Sequence, residues 1–341
     1  MNDVKITVII TTYNLEKYIE QTFIDLKKQT FQEFEILLVD DASTDGTKSI
    51  IERWRNQFDG RISIIYLKEN LGMPALVRNV ALDSENIHGE FVLFLDGDDS
   101  IEIDMLETMY AMIMSSNGQA DVAICAYDRI DIDTGKCIAT EMSNFPQMIL
   151  LPPIDDRIAF INTSPWNKLW RKTVIDDLRY PGFKVGEEVS FNLRAYQKCR
   201  SIVFTERVLI HYAVHRDSII SNTDEETIWK FADELYDLYV SMEGIYREIV
   251  GLIVFLHIGL SMTLRAADNS NINLNIFIKK IESYFKTNYD WMKKNSFLKL
   301  ISLKRYGIKG LALWCAYNAY RMGLFLPMIK VYRKLRLNIK F

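Results

Sequence analysis

Three carboxylates fall within four residues in the run Leu95-Asp96-Gly97-Asp98-Asp99. Side chains so close repel one another unless a cation neutralises them. Hard oxygen ligands suit Mg2+ or Mn2+, ions that also bridge phosphate oxygens. The acid preference of a helix N-terminus would account for Asp99 or Asp104 but not for the whole cluster. A second acidic pair opens the run Asp40-Asp41-Ala42-Ser43-Thr44-Asp45-Gly46-Thr47. Asp45 or Thr47 can cap a following helix and Gly46 eases the turn. The adjacent Asp40 and Asp41 stay unexplained unless one accepts donors from a ligand, an imide N–H for instance. Thr11-Thr12-Tyr13-Asn14 offers an aromatic ring that can stack on a base, although turns use such residues too. Asn70-Leu71-Gly72 and Arg78-Asn79 complete the set. Arg78 suits a diphosphate or a carboxylate ligand, or an ion pair with Asp40, Asp41 or Asp96.

Each cluster needs an element to place it. Residues 4–12 form a near-continuous β-branched run, the pattern of a strand buried on both faces of a parallel sheet. Residues 35–40, 62–67, 91–96 and 122–127 read as further strands, and 15–29, 47–58, 74–82 and 102–114 as helices. Alternating units of this kind imply an α/β doubly wound, mostly parallel sheet with right-handed crossovers. Ligands bind such sheets beyond the carboxyl ends of the strands, and every polar cluster here follows a strand. Residues 128–218 read as mixed, with a hairpin turn at Asp131-Ile132-Asp133-Thr134-Gly135-Lys136, a break at Pro152-Pro153, a helix over 187–197 and an extended strand over 201–215. From Thr223 onward the chain reads as helical, so the expected division is 1–220 and 221–341.

The 341 residues are 49% hydrophobic and 25% charged, which excludes a disordered or collagen-like chain. A net charge of −4 conceals an asymmetry. Residues 293–341 hold 8 Lys, 4 Arg and no acid, against 29 basic and 45 acidic groups in residues 1–292. A basic end on an acidic body implies a polyanionic or anionic-surface partner. Met328, Val331, Tyr332, Leu335 and Ile339 recur at helical spacing, with Lys330, Arg333, Lys334, Arg336 and Lys340 largely opposite. That pattern fits a helix in an anionic membrane interface, or a bundle helix with a solvated basic face. Four cysteines without paired spacing predict a reducing, cytoplasmic setting. The N-terminus shows no basic segment or cleavage site, and the apolar stretches 249–264 and 308–329 are short or interrupted by charge. Neither a secretory signal nor a bilayer-spanning helix is therefore expected.

Taken in order, Val8-Ile9-Ile10-Thr11-Thr12-Tyr13-Asn14, the Val39–Thr47 run, Asn70-Leu71-Gly72 with Arg78-Asn79, and Leu95-Asp96-Gly97-Asp98-Asp99 resemble the motifs of a family 2 glycosyltransferase of GT-A fold. The resemblance covers about residues 4–215 and extends to inverting members that build bacterial surface polysaccharide or teichoic-acid-like polymers. It implies a Rossmann-like GT-A domain ahead of the helical region, a nucleotide-sugar donor (usually a UDP-sugar), a divalent cation, Mn2+ or Mg2+, and transfer to an acceptor hydroxyl. Thr11, Tyr13 and Asp41 would hold the base, Asn70 and Arg78 would line the donor site, Asp96 would serve ribose and metal, and Asp98 the metal. His215-Arg216-Asp217-Ser218 resembles a segment that closes over the diphosphate, with Arg216 and Ser218 on the donor and His215 in the metal shell.

The run Ser164-Pro165-Trp166-Asn167-Lys168-Leu169-Trp170 resembles an acceptor-side segment, with Trp166, Asn167 and Lys168 toward a polysaccharide, teichoic-acid-like or lipid-linked acceptor. Trp166 and Trp170, at helical spacing, also fit a core. The same resemblance implies a catalytic base in Glu187-Glu188 at the start of a helix, and Glu188 stands where the family usually has Asp. A single displacement needs one carboxylate to take the acceptor hydroxyl's proton, while the metal stabilises the departing diphosphate. Both acids also suit a helix N-terminus. Two other classes stay open. A nucleotidyltransferase on a similar sheet typically carries a Gly-rich basic loop after its first strand, which Thr11-Thr12-Tyr13-Asn14 lacks. A non-catalytic module could engage nucleic acid through its basic end, but no reading motif precedes it, so no nucleic-acid partner is expected.

Overall fold

The computed structural model describes residues 4–143, 145, 147–150, 156–215, 224–289 and 295–334. It divides into two compact units, Met1–Asp155 with Asn162–Ser218, and Asp156–Ile161 with Ile219–Phe341. In chain order the first unit holds β1 (Ile6–Thr12), α1 (Ile19–Lys27), β2 (Phe34–Asp40), α2 (Thr47–Arg55), β3 (Ile62–Tyr66), α3 (Pro74–Leu82), β4 (Phe91–Asp96), β5 (Ser100–Ile101) and α4 (Met105–Ser115). It continues through β6 (Val122–Asp131), β7 (Cys137–Glu141), β8 (Met148–Leu150), β9 (Lys168–Arg171), α5 (Lys172–Ile175), α6 (Glu187–Lys198) and β10 (Ser201–Val214).

The strands join in one sheet of order β3-β2-β1-β4-β9-β6-β10-β5, with β7 on β6 and β8 on β10. β3, β2, β1 and β4 run parallel, as do β6 and β10. All seven residues of β1 are buried, as its β-branched composition requires. Register then does the positioning: Thr12 stands opposite Asp40 and Thr11 opposite Asp96, so the carboxyl ends of three neighbouring strands finish flush.

The structure departs from the sequence reading in four of its elements. β9 was not expected; it lies antiparallel between β4 and β6 and makes the sheet mixed. Trp166 and Trp170 are core residues, but in a turn and on β9 respectively and not on a helix. α1 begins at Ile19, not near residue 15, because the intervening turn is tied across to the β2–α2 loop: Leu15 N–H donates to Thr47 Oγ1 at 2.7 Å and Glu16 N–H to Asp45 Oδ2 at 3.1 Å. α4 likewise begins at Met105 because Ser100 and Ile101 pair with β10.

The second unit comprises α7 (Glu225–Ser241), α8 (Gly244–Val254), α9 (Thr263–Asp268), α10 (Leu274–Asn288), α11 (Leu300–Leu303), α12 (Gly307–Arg321) and α13 (Phe325–Lys334). Asp224 caps α7 through Thr227 N–H, and Asn273 caps α10. α8 passes through a π-helical stretch, Phe255–Met262, into α9. The continuous run Gly244–Asp268 has the length and apolarity to cross a bilayer, yet 78% of its most apolar window is buried in the protein. Tyr320 O–H donates to Gly259 O at 3.1 Å along it, as befits a core helix. The unit also takes in a 3-10 turn, Asp156–Phe160, whose buried Asp156 pairs with Arg305 and accepts from Tyr306 O–H. On α13 the face that packs inward is Phe325 and Ile329, while Val331 is exposed, so the apolar stripe read from the sequence is only partly the packing face. Its outer members Leu335, Arg336, Ile339 and Lys340, and Pro152-Pro153, lie outside the described residues.

Gly89 sits where the chain enters β4 against β1. A Cβ there would meet Thr7 N at 2.5 Å and Ile6 C at 2.7 Å, both backbone atoms that cannot turn aside. Gly89→Ala is expected to cost about 1–3 kcal/mol, the range for overpacking. A urea midpoint equal to that of the parent chain would contradict it.

Candidate active site

The turns after β1, β2 and β3 are tied to one another at the carboxyl edge of the sheet. Asp40 does not face a ligand. It accepts from Thr12 O–H at 2.9 Å, Ser43 N–H at 3.0 Å and Ser43 O–H at 2.6 Å, which holds the loop after β2. Asp41 turns the other way and accepts from Leu71 N–H at 2.7 Å, while Asn70 Nδ2 donates to Asp41 O at 3.2 Å. The two acids are thus separated by what each binds. Asn14 adopts a left-handed φ of 53° and ties the first turn to the second through Ser43 and Thr44. Tyr13 beside it is 47% exposed, a ring offered to the cleft edge, and Thr11 lies just inside.

The centre is a charge bridge. Arg78, on the second turn of α3 and only 3% exposed, donates to Asp96 Oδ1 at 2.7 Å and lies 3.5 Å from Glu188 Oε1. Of the three acids that the sequence offered as partners, Asp96 is the one it meets. Burial opposes its charge, but Asp96, Tyr180 and Glu188 together hold the guanidinium protonated. Its plane lies 5.7 Å from the Tyr180 ring. Tyr180 is fixed by Asn79, whose side chain exchanges two 2.8 Å hydrogen bonds with its backbone, and by stacking on Phe191 at 4.0 Å. Nothing in the residues around Tyr180 marked it; only its packing under Arg78 does. Glu188 stands in the first turn of α6 after Gly186, whose φ of 87° makes the sharp entry. Burial lifts Glu188 above the carboxylate range, Glu187 adds to the rise, and Arg78 and Lys168 oppose it.

The third group is acidic. Asp98 Oδ2 lies 2.9 Å from His215 Nε2, and this hydrogen bond raises the His215 pKa. Asp99 is buried; one oxygen accepts from Ala213 N–H at 2.9 Å, and Oδ2 has no partner among the described residues. Burial first, then the Asp98 and Asp96 charges, push Asp99 far above the usual range. Among the described residues no three of His, Cys, Asp and Glu form a ready metal cage. The donor set fits Mg2+ or Mn2+ nonetheless, since such ions are held by one or two carboxylates with substrate phosphates. The unpartnered Asp99 oxygen, set among the Asp96 and Asp98 charges, is what a cation would relieve. Arg216 and Ser218 lie outside the described residues.

The acceptor assignment of Trp166, Asn167 and Lys168 is corrected. All three are buried. Trp166 stacks on Tyr212 and meets Tyr127 edge-on, and Asn167 Nδ2 donates to Cys125 O at 3.0 Å. Side chains so enclosed present no surface to a sugar.

Comparison with known proteins accords with this geometry. The model of Glycosyl transferase family 2 matches residues 7–178. EpsH of Bacillus subtilis (strain 168) is 32% identical over 225 residues, 63% of this chain and 62% of that protein. The poly(ribitol-phosphate) β-N-acetylglucosaminyltransferase TarS of Staphylococcus aureus (strain MW2) is 33% identical over 256 residues, 73% of this chain but 40% of TarS. The chain therefore spans less than two thirds of the length of these relatives. The crystal structure of S. aureus TarS 1-349 with UDP-GlcNAc superposes with a TM-score of 0.72 at 26% identity, covering 94% of this chain and 92% of that one. The shared architecture is the GT-A fold followed by a helical region.

Removing Arg78 would leave Asp96 and Glu188 facing each other without a cation. Arg78→Met is expected to lose about 1.5–3 kcal/mol, the value of a hydrogen bond to a charged group. Equal stability of the variant and the parent chain in urea would refute the bridge as a structural tie.

Proposed function

This chain belongs to glycosyl transferase family 2, and from that premise we propose that it moves a sugar from a UDP-sugar to a hydroxyl of a surface-polysaccharide or teichoic-acid-like acceptor, with inversion. The observation that carries the reading is Glu188, a carboxylate of raised pKa, held by Arg78 beside Asp96 at the flush carboxyl edge of the sheet. The TarS relative, whose structure holds UDP-GlcNAc, supports the donor class. The exposed Tyr13 ring stacks on the base, Asp41 with Asn70 shapes the base pocket, and Arg78 keeps the floor of the donor site cationic.

Glu188 accepts the proton of the acceptor hydroxyl as that oxygen attacks the anomeric carbon, and the bond to the diphosphate oxygen breaks on the opposite face. Asp96 and Asp98, with His215 beside Asp98, would hold Mn2+ or Mg2+. When bound, the cation supplies charge neutralisation for the diphosphate. Arg78 orients Glu188 and works against the rise of its pKa, which burial pushes up to about 8.

The catalytic domain in this reading is residues 1–220, and residues 221–341 form a helical region that works at the cytoplasmic face of a membrane. What supports the membrane contact is a surface on α11 and α12. Ile301 is 84% and Ile308 76% exposed, with Leu300 and Leu311 beside them in sequence, in a stretch without a single acid after residue 292. A lipid-linked acceptor would be met there.

Three outcomes are expected. UDP with Mn2+ should raise the melting temperature and a chelator should cancel the gain; no response to any nucleoside diphosphate would sink the donor reading. Glu188→Gln should keep UDP binding and lose about 100- to 10,000-fold in UDP release from UDP-sugars, and the parent's rate should fall as pH drops through a pKa above 4.5, because the protonated acid cannot act as base. Ile301→Ser with Ile308→Ser should reduce flotation with phosphatidylglycerol vesicles; unchanged flotation removes that surface as the contact.

A further inference from the structure

Lys168 is wholly buried on β9, where a cation is costly unless every donor is met. Its Nζ donates to Asn162 O at 2.6 Å, Ser164 O at 2.6 Å and Asn167 Oδ1 at 2.9 Å. An ammonium has three N–H donors and no acceptor, whereas a neutral amine has two donors and a lone pair. Three oxygens around one nitrogen therefore suit the ammonium; a neutral amine would turn its lone pair on one of them. Burial pulls the Lys168 pKa down to about 7, and the charge of Glu188 acts against that fall.

The loop it grips is held from a second side. Asn192 lies four residues after Glu188 on α6, hence on the same face, and its Nδ2 donates to Thr163 O at 2.7 Å. The consecutive carbonyls of residues 162, 163 and 164 are thus tied, two to Lys168 and one to the helix that carries Glu188. Asn162 completes the knot: its Nδ2 donates to Tyr127 Oη at 2.6 Å and its Oδ1 accepts from Ser164 N–H at 2.7 Å.

Charged and titratable groups act on Glu188 from every side: Glu187 on its own helix, Arg78 from α3, Asp96 from β4, Tyr180 from the preceding loop, Lys168 from β9 and Tyr212 from β10. Only Arg78 and Lys168 are cations, and Arg78 is shared with Asp96. Lys168 touches no carboxylate among the described residues, so its charge is not spent on a contact partner.

We propose that Lys168 is a positioning residue for the transfer reaction: its ammonium, pinned by three oxygens, fixes the 162–164 loop against α6 and favours the ionised form of Glu188. The proposal rests on the reading of Glu188 as the base. The decisive measurement is the titration of Glu188 itself, taken from its carboxylate infrared band by difference against Glu188→Gln in the full chain. In Lys168→Met the midpoint should rise by about one pH unit or more, and the acid limb of UDP release should move with it. Lys168→Gln, which keeps amide donors for the carbonyls without a charge, should show the same rise and covers the case in which the Met variant fails to fold. Asn192→Leu, which cuts a tie but no charge, should leave the midpoint in place. An unmoved midpoint in the neutral variants overturns the proposal and leaves the base reading intact. Near-wild-type UDP release by Glu188→Gln overturns the base reading instead.

Discussion

The guanidinium of Arg78 is the constraint on which the site depends. It is buried, it cannot give up its proton, and it must therefore be met by anions. Asp96 meets it from the end of β4 and Glu188 from the start of α6, two positions more than ninety residues apart in the chain. One cation thus brings a strand end and a helix start to the same point. Tyr180 beneath it and Asn79 behind Tyr180 fix the plane, so the bridge has little freedom to move.

Around that bridge the acids are sorted by their partners. Asp40 is satisfied by hydroxyl and amide donors and holds a loop; Asp41 is turned to the neighbouring turn; Asp98 meets His215; Asp99 is left with one oxygen unpaired. A uniform acidic cleft would repel itself. Here the repulsion is confined to the Asp96–Asp99 cluster, where a divalent cation and a diphosphate are the chemistry that would relieve it. Lys168 and Arg78 act on Glu188 with the opposite sign, so that carboxylate stands between acidic and cationic groups.

The second unit follows different physics. Its long run Gly244–Asp268 is apolar all round because it is buried, and Asp156 with Arg305 and Tyr306 brings a short stretch from the middle of the chain into the same helical packing. Its two most exposed apolar residues, Ile301 and Ile308, stand on α11 and α12, whereas the basic amphipathic pattern was plainest in the sequence on α13. Phe325 packs on Tyr320 at 3.7 Å, and that contact turns α13 inward.

Periodicity and local chemistry already determined much. The apolar runs marked β1, β2, β3 and β4, Pro74 marked the start of α3, and the polar clusters fell at strand ends because only there can a parallel sheet expose its backbone to a ligand. The order of the motifs carried the family. What the sequence could not decide were contacts between residues distant in the chain. β9 is four residues long, too short for a period to show, and it exists because β4 and β6 leave a gap for it. Lys168 read as an acceptor-side residue, whereas three carbonyl and amide oxygens around it make an interior cation tolerable. Arg78 had three acidic partners on offer, and strand register alone chose Asp96. Residue type sets what a side chain can bind; which groups come within reach is set by the fold, because electrostatic and hydrogen-bond energies depend on distances that the linear order does not contain.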